Sequence, residues 1–291
     1  MCRYLSCVVT NDFKAHWKKQ SVDHESILDD LKLPDATLRN RTFVRIEITP
    51  ETDPPTRKPE DWKLRVDEEG TLPEWFIEHR TKAETACWKA WEESVQIQLA
   101  LNDEKKEVTD TLIYLYGSSS AVLYGSSRAE LYDSSSAELY GSSSAVLYGS
   151  SRAVLKDSSS AELYGSSSAV LYDSSSAELY GSSSAVLYGS SRAVLYGSSS
   201  AELYGSSSAV LYDSSRAELY DSSRAELYDS SRAVLYGSSS AELYGSSRAE
   251  LYDSSRAELK STVSTAICNR KVIVHTKTTI IKKTNIKAEE L

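Results

Sequence analysis

Tyr116-Gly117-Ser118-Ser119-Ser120-Ala121-Val122-Leu123 is the first of eighteen consecutive octads. They run without insertion or deletion to Tyr252-Asp253-Ser254-Ser255-Arg256-Ala257-Glu258-Leu259. They fill 144 of the 291 residues, and so strict a short period is the signature of a stacked, quasi-one-dimensional fold. Positions three, four, six and eight are Ser, Ser, Ala and Leu in all eighteen, and position one is Tyr except at Lys156. Position two is Gly or Asp, position five Ser or Arg, and position seven Glu or Val. A position that accepts both Val and Glu, or both Ser and Arg, must reach water, because an unpaired buried charge costs too much. Five and seven therefore face out, and strand alternation turns four, six and eight inward. Gly or Asp followed by Ser is turn chemistry, since these residues enter left-handed or side-chain-bonded turns cheaply.

Two competing readings fail on the same residues. A period of eight lies near neither seven nor eleven, and a Gly or Asp with two serines in each octad opposes a helix. Disorder fits the Ser and Gly content, but not a Leu and an Ala at fixed phase in every octad. The expected fold is mostly β: a β-solenoid in which each octad supplies one short strand and one turn. Two octads would close a flattened sixteen-residue coil, and three a triangular coil of twenty-four. Coils stack roughly 4.8 Å apart, giving a rod of ~43 Å or ~29 Å. The sixteen-residue coil is preferred, because Ala and Leu suit a thin two-sheet core.

The Tyr-Gly-Ser-Ser and Tyr-Asp-Ser-Ser phrases, in a period that doubles to sixteen, resemble the coils of bacterial ice-nucleation proteins. The whole layout, with Leu72-Pro73-Glu74-Trp75-Phe76 ahead of the octads, is similar to a group of phage and prophage octapeptide-repeat proteins with no assigned activity. The first resemblance implies basic terminal coils that help rods associate, and the second implies a host-cytoplasm setting.

Solenoids need caps at both ends. Residues 1–115 hold all five Trp, all three Phe and all six Pro, enough for a small α+β capping domain ahead of the solenoid at 116–259. Strands are predicted at Tyr4 to Thr10, Phe43 to Thr49 and Trp62 to Val66, and a helix from Asp23 to Leu31. A second helix is predicted from about Leu72 to Leu101, opened by a Thr71/Glu74 capping box with Pro73 in its first turn. Its stripe of Phe76, Ala83, Cys87, Ala90, Trp91, Ile97 and Leu101 is expected to dock on the first coil. Beyond Leu259 the phrase decays into Lys260-Ser261-Thr262-Val263-Ser264-Thr265-Ala266-Ile267 and β-branched segments, read as an irregular C-terminal β cap at 260–291.

Charge is unevenly spread along the chain. The octads carry seventeen Asp and Glu against nine Arg and Lys, a net −8, while 260–291 carries seven Lys and Arg against two Glu, a net +5. Attraction between this basic end and an acidic flank is physically reasonable and would weaken with salt. Arg270, Lys271, Lys277, Lys282 and Lys283 are accordingly the candidate assembly and capping residues.

Chemistry-bearing motifs are sparse. His16, His24, His79 and His275 stand apart from one another, and the octad Gly-Ser-Ser-Ser is not a nucleophile elbow, which needs Gly two residues to each side of Ser. Eleven of twelve glycines are octad turns, leaving no phosphate-binding loop. Cys2, Cys7, Cys87 and Cys268 are too few and scattered for a disulfide framework or a zinc site. No catalytic residue, cofactor, metal or small-molecule substrate is expected, so the chain reads as a non-enzyme. No hydrophobic signal core or spanning run is present, so a cytoplasmic location without a membrane is expected.

The expected function is binding or self-assembly with a protein partner or further copies of the chain. With sixteen-residue coils, Tyr116, Tyr132, Tyr148, Tyr164, Tyr180, Tyr196, Tyr212, Tyr228 and Tyr244 fall in one row, the candidate interaction surface. Rigid aromatic side chains lose little entropy on docking, and repetition multiplies weak contacts. Ordering of ice is a second class, but no Thr occurs in the octads and charged rows mimic ice poorly. Nucleic-acid mimicry is a third. Duplex DNA, however, carries one charge per ~1.7 Å, about 25 over the same length, against the octads' net −8. The same negative sign disfavours direct nucleic-acid binding.

Overall fold

The computed structural model describes residues 5–33, 41–68, 70–261, 264–268 and 281–283. Two compact units emerge: Met1–Leu99 with Asp110–Ile113, and Ala100–Thr109 with Tyr114–Leu291.

The first unit is built on an antiparallel sheet of order β2-β1-β3-β4, formed by β1 (Leu5–Thr10), β2 (Ala15–His16), β3 (Phe43–Pro50) and β4 (Trp62–Val66). Helix α1 (His24–Leu31) starts where the Asp23 carboxylate accepts the backbone N–H groups of Glu25 and Ser26, satisfying donors that a helix start leaves open. Val8, Ile27, Leu28 and Phe43 form its core with β1 and β3. The long helix expected over 72–101 is two helices, α2 (Glu74–Glu78) and α3 (Arg80–Gln98), broken at His79. The break is held by aromatic packing: the His79 ring lies 5.5 Å from Phe13 and the Trp75 ring 6.0 Å from it, both edge-on. The capping box does not form, because Pro73 rather than Thr71 is the N-cap residue. Phe76, Ala83, Cys87, Ala90 and Trp91 are buried as the stripe requires, and Ile97 and Leu101 are half-buried. Within the first unit α3 packs on β1 and β2, with Cys87 against Cys7.

The second unit is a β-solenoid of sixteen-residue coils. Each octad contributes a strand at positions five to eight, from β8 (Ser120–Tyr124) to β25 (Arg256–Leu259). Parallel pairing joins residues sixteen apart, Ser136 to Ser120 and to Arg152, Ser144 to Arg128 and to Ser160. Odd octads therefore build one sheet, of 12 strands in all, and even octads the other, of 11. Ala and Leu of every octad are buried between the sheets. The hydrogen-bond ladder continues through the corners: Tyr132 N–H donates to Leu115 O, Ser134 N–H to Gly117 O and Ser136 N–H to Ser119 O, at 2.9–3.0 Å.

The corner explains positions two and four. All eleven glycines and all seven aspartates at position two have positive φ, 61° to 71° for Gly and 54° to 59° for Asp, the left-handed region that only Gly, Asn and Asp enter readily. Each Asp adds a bond that Gly cannot. Its carboxylate accepts the N–H of the position-two residue one coil earlier, as Asp157 does from Gly141 at 2.8 Å and Asp173 from Asp157 at 3.3 Å. Position four is the buried serine, whose hydroxyl would be costly without a partner. In sixteen octads it donates to the position-one carbonyl of its own turn, Ser127 to Tyr124 at 2.7 Å for example. Ser119 and Ser247 are the exceptions.

The sheets extend past the octads at both ends. β5 (Leu99–Ala100), β6 (Lys105–Thr109) and β7 (Leu112–Leu115) precede the first octad, and β6 pairs with β8 in octad register, Lys105 to Ser120. Asn102 and Asp110 take the positive φ of position two, 54° and 48°. The solenoid thus begins before Tyr116, in a coil that has lost the Tyr-Gly-Ser-Ser spelling. After the octads, β26 (Thr265–Cys268) pairs with the strand Arg248–Leu251, and β27 (Ile281–Lys283) pairs with β26. Thr265 pairs with Arg248 and Ala266 with Ala249, so the spacing here is seventeen. Ser264 takes the place of the buried serine. Of the candidate assembly residues, Lys282 and Lys283 lie in β27, whereas Arg270, Lys271 and Lys277 lie outside the described residues.

Two outcomes follow from this geometry. Deleting residues 180–195 removes one whole coil and should leave the melting temperature nearly unchanged. Deleting 180–187 moves every later strand to the opposite sheet and should destabilise the C-terminal end, seen as faster amide exchange there. In Gly149, φ is +68° and an added Cβ would sit 3.0 Å from Asp133 O. Gly149→Ala should therefore cost about 1 kcal/mol in denaturant melts. Gly149→Asp should cost less, because its carboxylate can accept the Asp133 N–H as the native aspartates do in other coils.

Candidate interaction surface

The sixteen-residue coil places position-one residues in two rows, one along each corner of the solenoid. Tyr116, Tyr132, Tyr148, Tyr164, Tyr180, Tyr196, Tyr212, Tyr228 and Tyr244 form an uninterrupted stack with ring centroids 4.6–5.5 Å apart and planes within 5–16°. Parallel in-register strands leave the rings no other arrangement, and each stack adds about 0.5–1.5 kcal/mol beyond burial. The row continues into Lys260, whose ammonium bonds Glu258 at 2.7 Å and lies 3.6 Å from Glu242.

The opposite row starts Tyr124 and Tyr140, is interrupted by Lys156, and resumes at Tyr172. Lys156 fits because its ammonium covers the Tyr140 ring 4.4 Å from the centroid and donates to the Tyr140 hydroxyl at 2.6 Å. A cation on the face of an aromatic ring replaces the stacking energy lost.

The stack does not present a broad aromatic face. The rings cover one another, so most are half-buried and offer an edge and a hydroxyl to water. Tyr148, at 37%, is the most exposed of the uninterrupted row, and Tyr116, at 3%, is buried and contributes no surface. Rim chemistry is set by position seven. Wherever Glu precedes the Tyr by two residues in this row, the phenol donates to its carboxylate: Tyr132 to Glu130, Tyr164 to Glu162, Tyr180 to Glu178, Tyr228 to Glu226 and Tyr244 to Glu242. The corner therefore shows a continuous run of phenol edges, five of them paired with carboxylates.

Between the corners each sheet carries an outward groove between its position-five and position-seven rows. On the even-octad face, a groove of about 650 Å³ runs between the row Arg192, Ser208, Arg224, Ser240, Arg256 and the row Val194, Val210, Glu226, Glu242, Glu258. A smaller one, about 480 Å³, lies at the start of the other face, between Lys105 to Arg152 and Glu107 to Val154. Both are open channels whose walls mix neutral and charged residues. They suit an elongated partner better than a compact small molecule, which pockets usually enclose on most sides.

The first unit brings together groups that lie far apart in sequence. Cys7 and Cys87 meet at 3.1 Å between sulfurs, both fully buried. The hydrogen bond between them, together with burial, pushes the Cys7 thiol up, which makes it a poor nucleophile. His24, isolated in the sequence, faces Asp67 and Glu47. Neither grouping has a spacing signature, because each joins a helix to strands. Among the described residues no helix is long and apolar enough to cross a membrane.

The Tyr–Glu pairs give a pH test. A carboxylate accepting the phenol proton disfavours the phenolate, which raises Tyr164 and Tyr228 from 10.0 to about 12 and also raises Tyr180. Because the folded value lies above the unfolded one, this contribution is complete below pH ~10 and is lost as pH climbs toward ~12. An alkaline ultraviolet titration should show late-ionising tyrosines, with the melting temperature falling over the same interval. Glu162→Gln should bring Tyr164 back toward ordinary ionisation. Uniform ionisation of all repeat tyrosines in an intact solenoid is the contrary result.

No family model matches the chain, and no curated protein or solved structure matches it.

Proposed function

We propose that this protein is a non-enzymatic binding or self-assembling scaffold that engages a protein partner, or further copies of itself, along the repetitive corner and faces of the solenoid. The carrying observation is the uninterrupted tyrosine row, stacked at 4.6–5.5 Å and bonded to glutamates at five of its nine positions. Side chains already fixed by their neighbours lose little entropy on docking, and their repetition at the coil spacing lets one contact recur along a matching surface. Partner recognition would use phenol edges, hydroxyls and carboxylates, since the ring faces are spent on stacking. The resemblance to ice-nucleation coils supports assembly of rods, and the resemblance to phage octapeptide-repeat proteins supports action in the cytoplasm of an infected cell.

The octads' net −8 and their lack of Thr favour this reading over nucleic-acid binding or mimicry and over ordering of ice. Light scattering of the full-length chain and capture of partners from the native host should both respond to the corner. Changing Tyr132, Tyr148, Tyr164 and Tyr180 to Ser should lower self-association or partner retention by about tenfold or more, equivalent to ~1.4 kcal/mol. The circular dichroism of the solenoid should be retained. Tyr→Phe at the same positions keeps the stack and separates loss of the hydroxyl rim from loss of the rings. Binding or mass unchanged in the Ser variant would move the site to the Trp-rich first unit.

A further inference from the structure

We propose that His24, Glu47 and Asp67 form a three-ligand site for a divalent transition-metal ion, with Zn2+ the ion that suits the donor set. His24 opens α1, Glu47 sits in the middle of β3, and Asp67 directly follows β4. Imidazole and carboxylate atoms from the three all lie within 4.8 Å of one another.

The imidazole geometry carries the proposal. Its Nε2 lies 3.1 Å from the carbonyl oxygen of Ile46, an acceptor that only a protonated Nε2 can satisfy. In the neutral ring this leaves a lone pair on Nδ1, which faces Asp67 Oδ2 at 3.3 Å. Two lone-pair atoms do not face each other at that distance without a positive charge between them. A proton on Nδ1 or a metal ion would supply that charge, and a charge-assisted N–H···O bond is commonly shorter than this, about 2.7–2.9 Å. Two ligands of one tetrahedral zinc, with bonds of ~2.0–2.2 Å, stand about 3.4 Å apart. A backbone carbonyl fixing the far nitrogen is also the usual support for a metal-bound histidine, since it sets the tautomer and aims the ring.

The surroundings favour the same species. Asp23 locks the start of α1 by accepting from Glu25 and Ser26, which fixes the backbone that carries His24. The two carboxylates supply the negative charge a dication needs. The His24 side chain is 7% exposed and that of Asp67 52%. The nitrogen ligand is thus sheltered while a carboxylate opens to solvent, leaving a path for entry and a fourth position for water. One nitrogen and two carboxylate oxygens form a borderline-to-hard donor set that accepts Zn2+ readily.

The test is calorimetric titration of the full-length, tag-free, chelator-stripped chain with Zn2+, paired with visible spectroscopy of the Co2+ form. Saturable one-to-one binding is expected, with Co2+ giving the intense d–d bands of a four- or five-coordinate site. Asp67→Asn and Glu47→Gln should each weaken binding by about tenfold or more, and His24→Gln should abolish it. If the buried His24→Gln variant does not fold, the two carboxylate variants decide, each checked by an unchanged melting temperature without metal. Absence of saturable binding, or binding and Co2+ bands that persist through Asp67→Asn and Glu47→Gln, would overturn the site and leave a His24–Asp67 ion pair in its place.

Discussion

Each coil of this protein must lie in register on the one before it, because the backbone ladder is parallel and runs through strands and corners alike. Residue n bonds back seventeen positions, as Tyr132 does to Leu115 and Ser136 to Ser119, so every side chain stands on the same octad position one coil earlier. The requirements of a position are therefore multiplied by the number of coils. A buried hydroxyl needs a partner within its own turn, and Ser at position four finds it in the position-one carbonyl in sixteen of the eighteen octads. A left-handed corner must be left-handed each time, and within the octads only Gly and Asp occupy it. A large side chain at the corner must lie flat against its copy, which Tyr does and which Lys156 replaces through a cation over the ring.

The same register converts a sequence pattern into a surface. Variable positions five and seven become continuous rows of Arg or Ser and of Glu or Val. Tyr and Glu, two residues apart along the chain, become a corner of paired phenols and carboxylates. No single octad offers much to bind, but the coil spacing repeats each small contact with little further ordering cost. The chemistry of the first unit is of another kind. Its antiparallel sheet and helices gather residues distant in the chain, and this is how Cys7 meets Cys87 and His24 meets Glu47 and Asp67.

Much of the solenoid was legible from the octad because an inward or outward role shows directly in which substitutions a position tolerates. Charge at five and seven, and only small or aliphatic residues at six and eight, is a statement about burial. Less legible were the coils at either end. Leu101 to Leu115 and Lys260 to Cys268 keep the ladder with altered spacing, and a one-residue change hides the period from a reader of spelling. Turn chemistry remained as a trace, in Asn102 and Asp110 with their positive φ. The strands of the first unit were readable from their β-branched and aromatic runs. The break at His79 was not, since it rests on contacts with Phe13, in the turn between β1 and β2.

The sequence by itself determined the octad's turn, its inward and outward faces and the solenoid class, because these depend on local conformational preference and on the cost of burying charge. It left sixteen and twenty-four residues per coil both open. Tertiary structure decided between them, through the pairing of Ser136 with Ser120 and Arg152, and with that decision it sorted the tyrosines into two rows. It also decided that the rings cover one another rather than face water, and that His24 shares its surroundings with two carboxylates. Those outcomes depend on which distant residues become neighbours, and neighbourhood across a fold is set by packing and register rather than by any local run of residues.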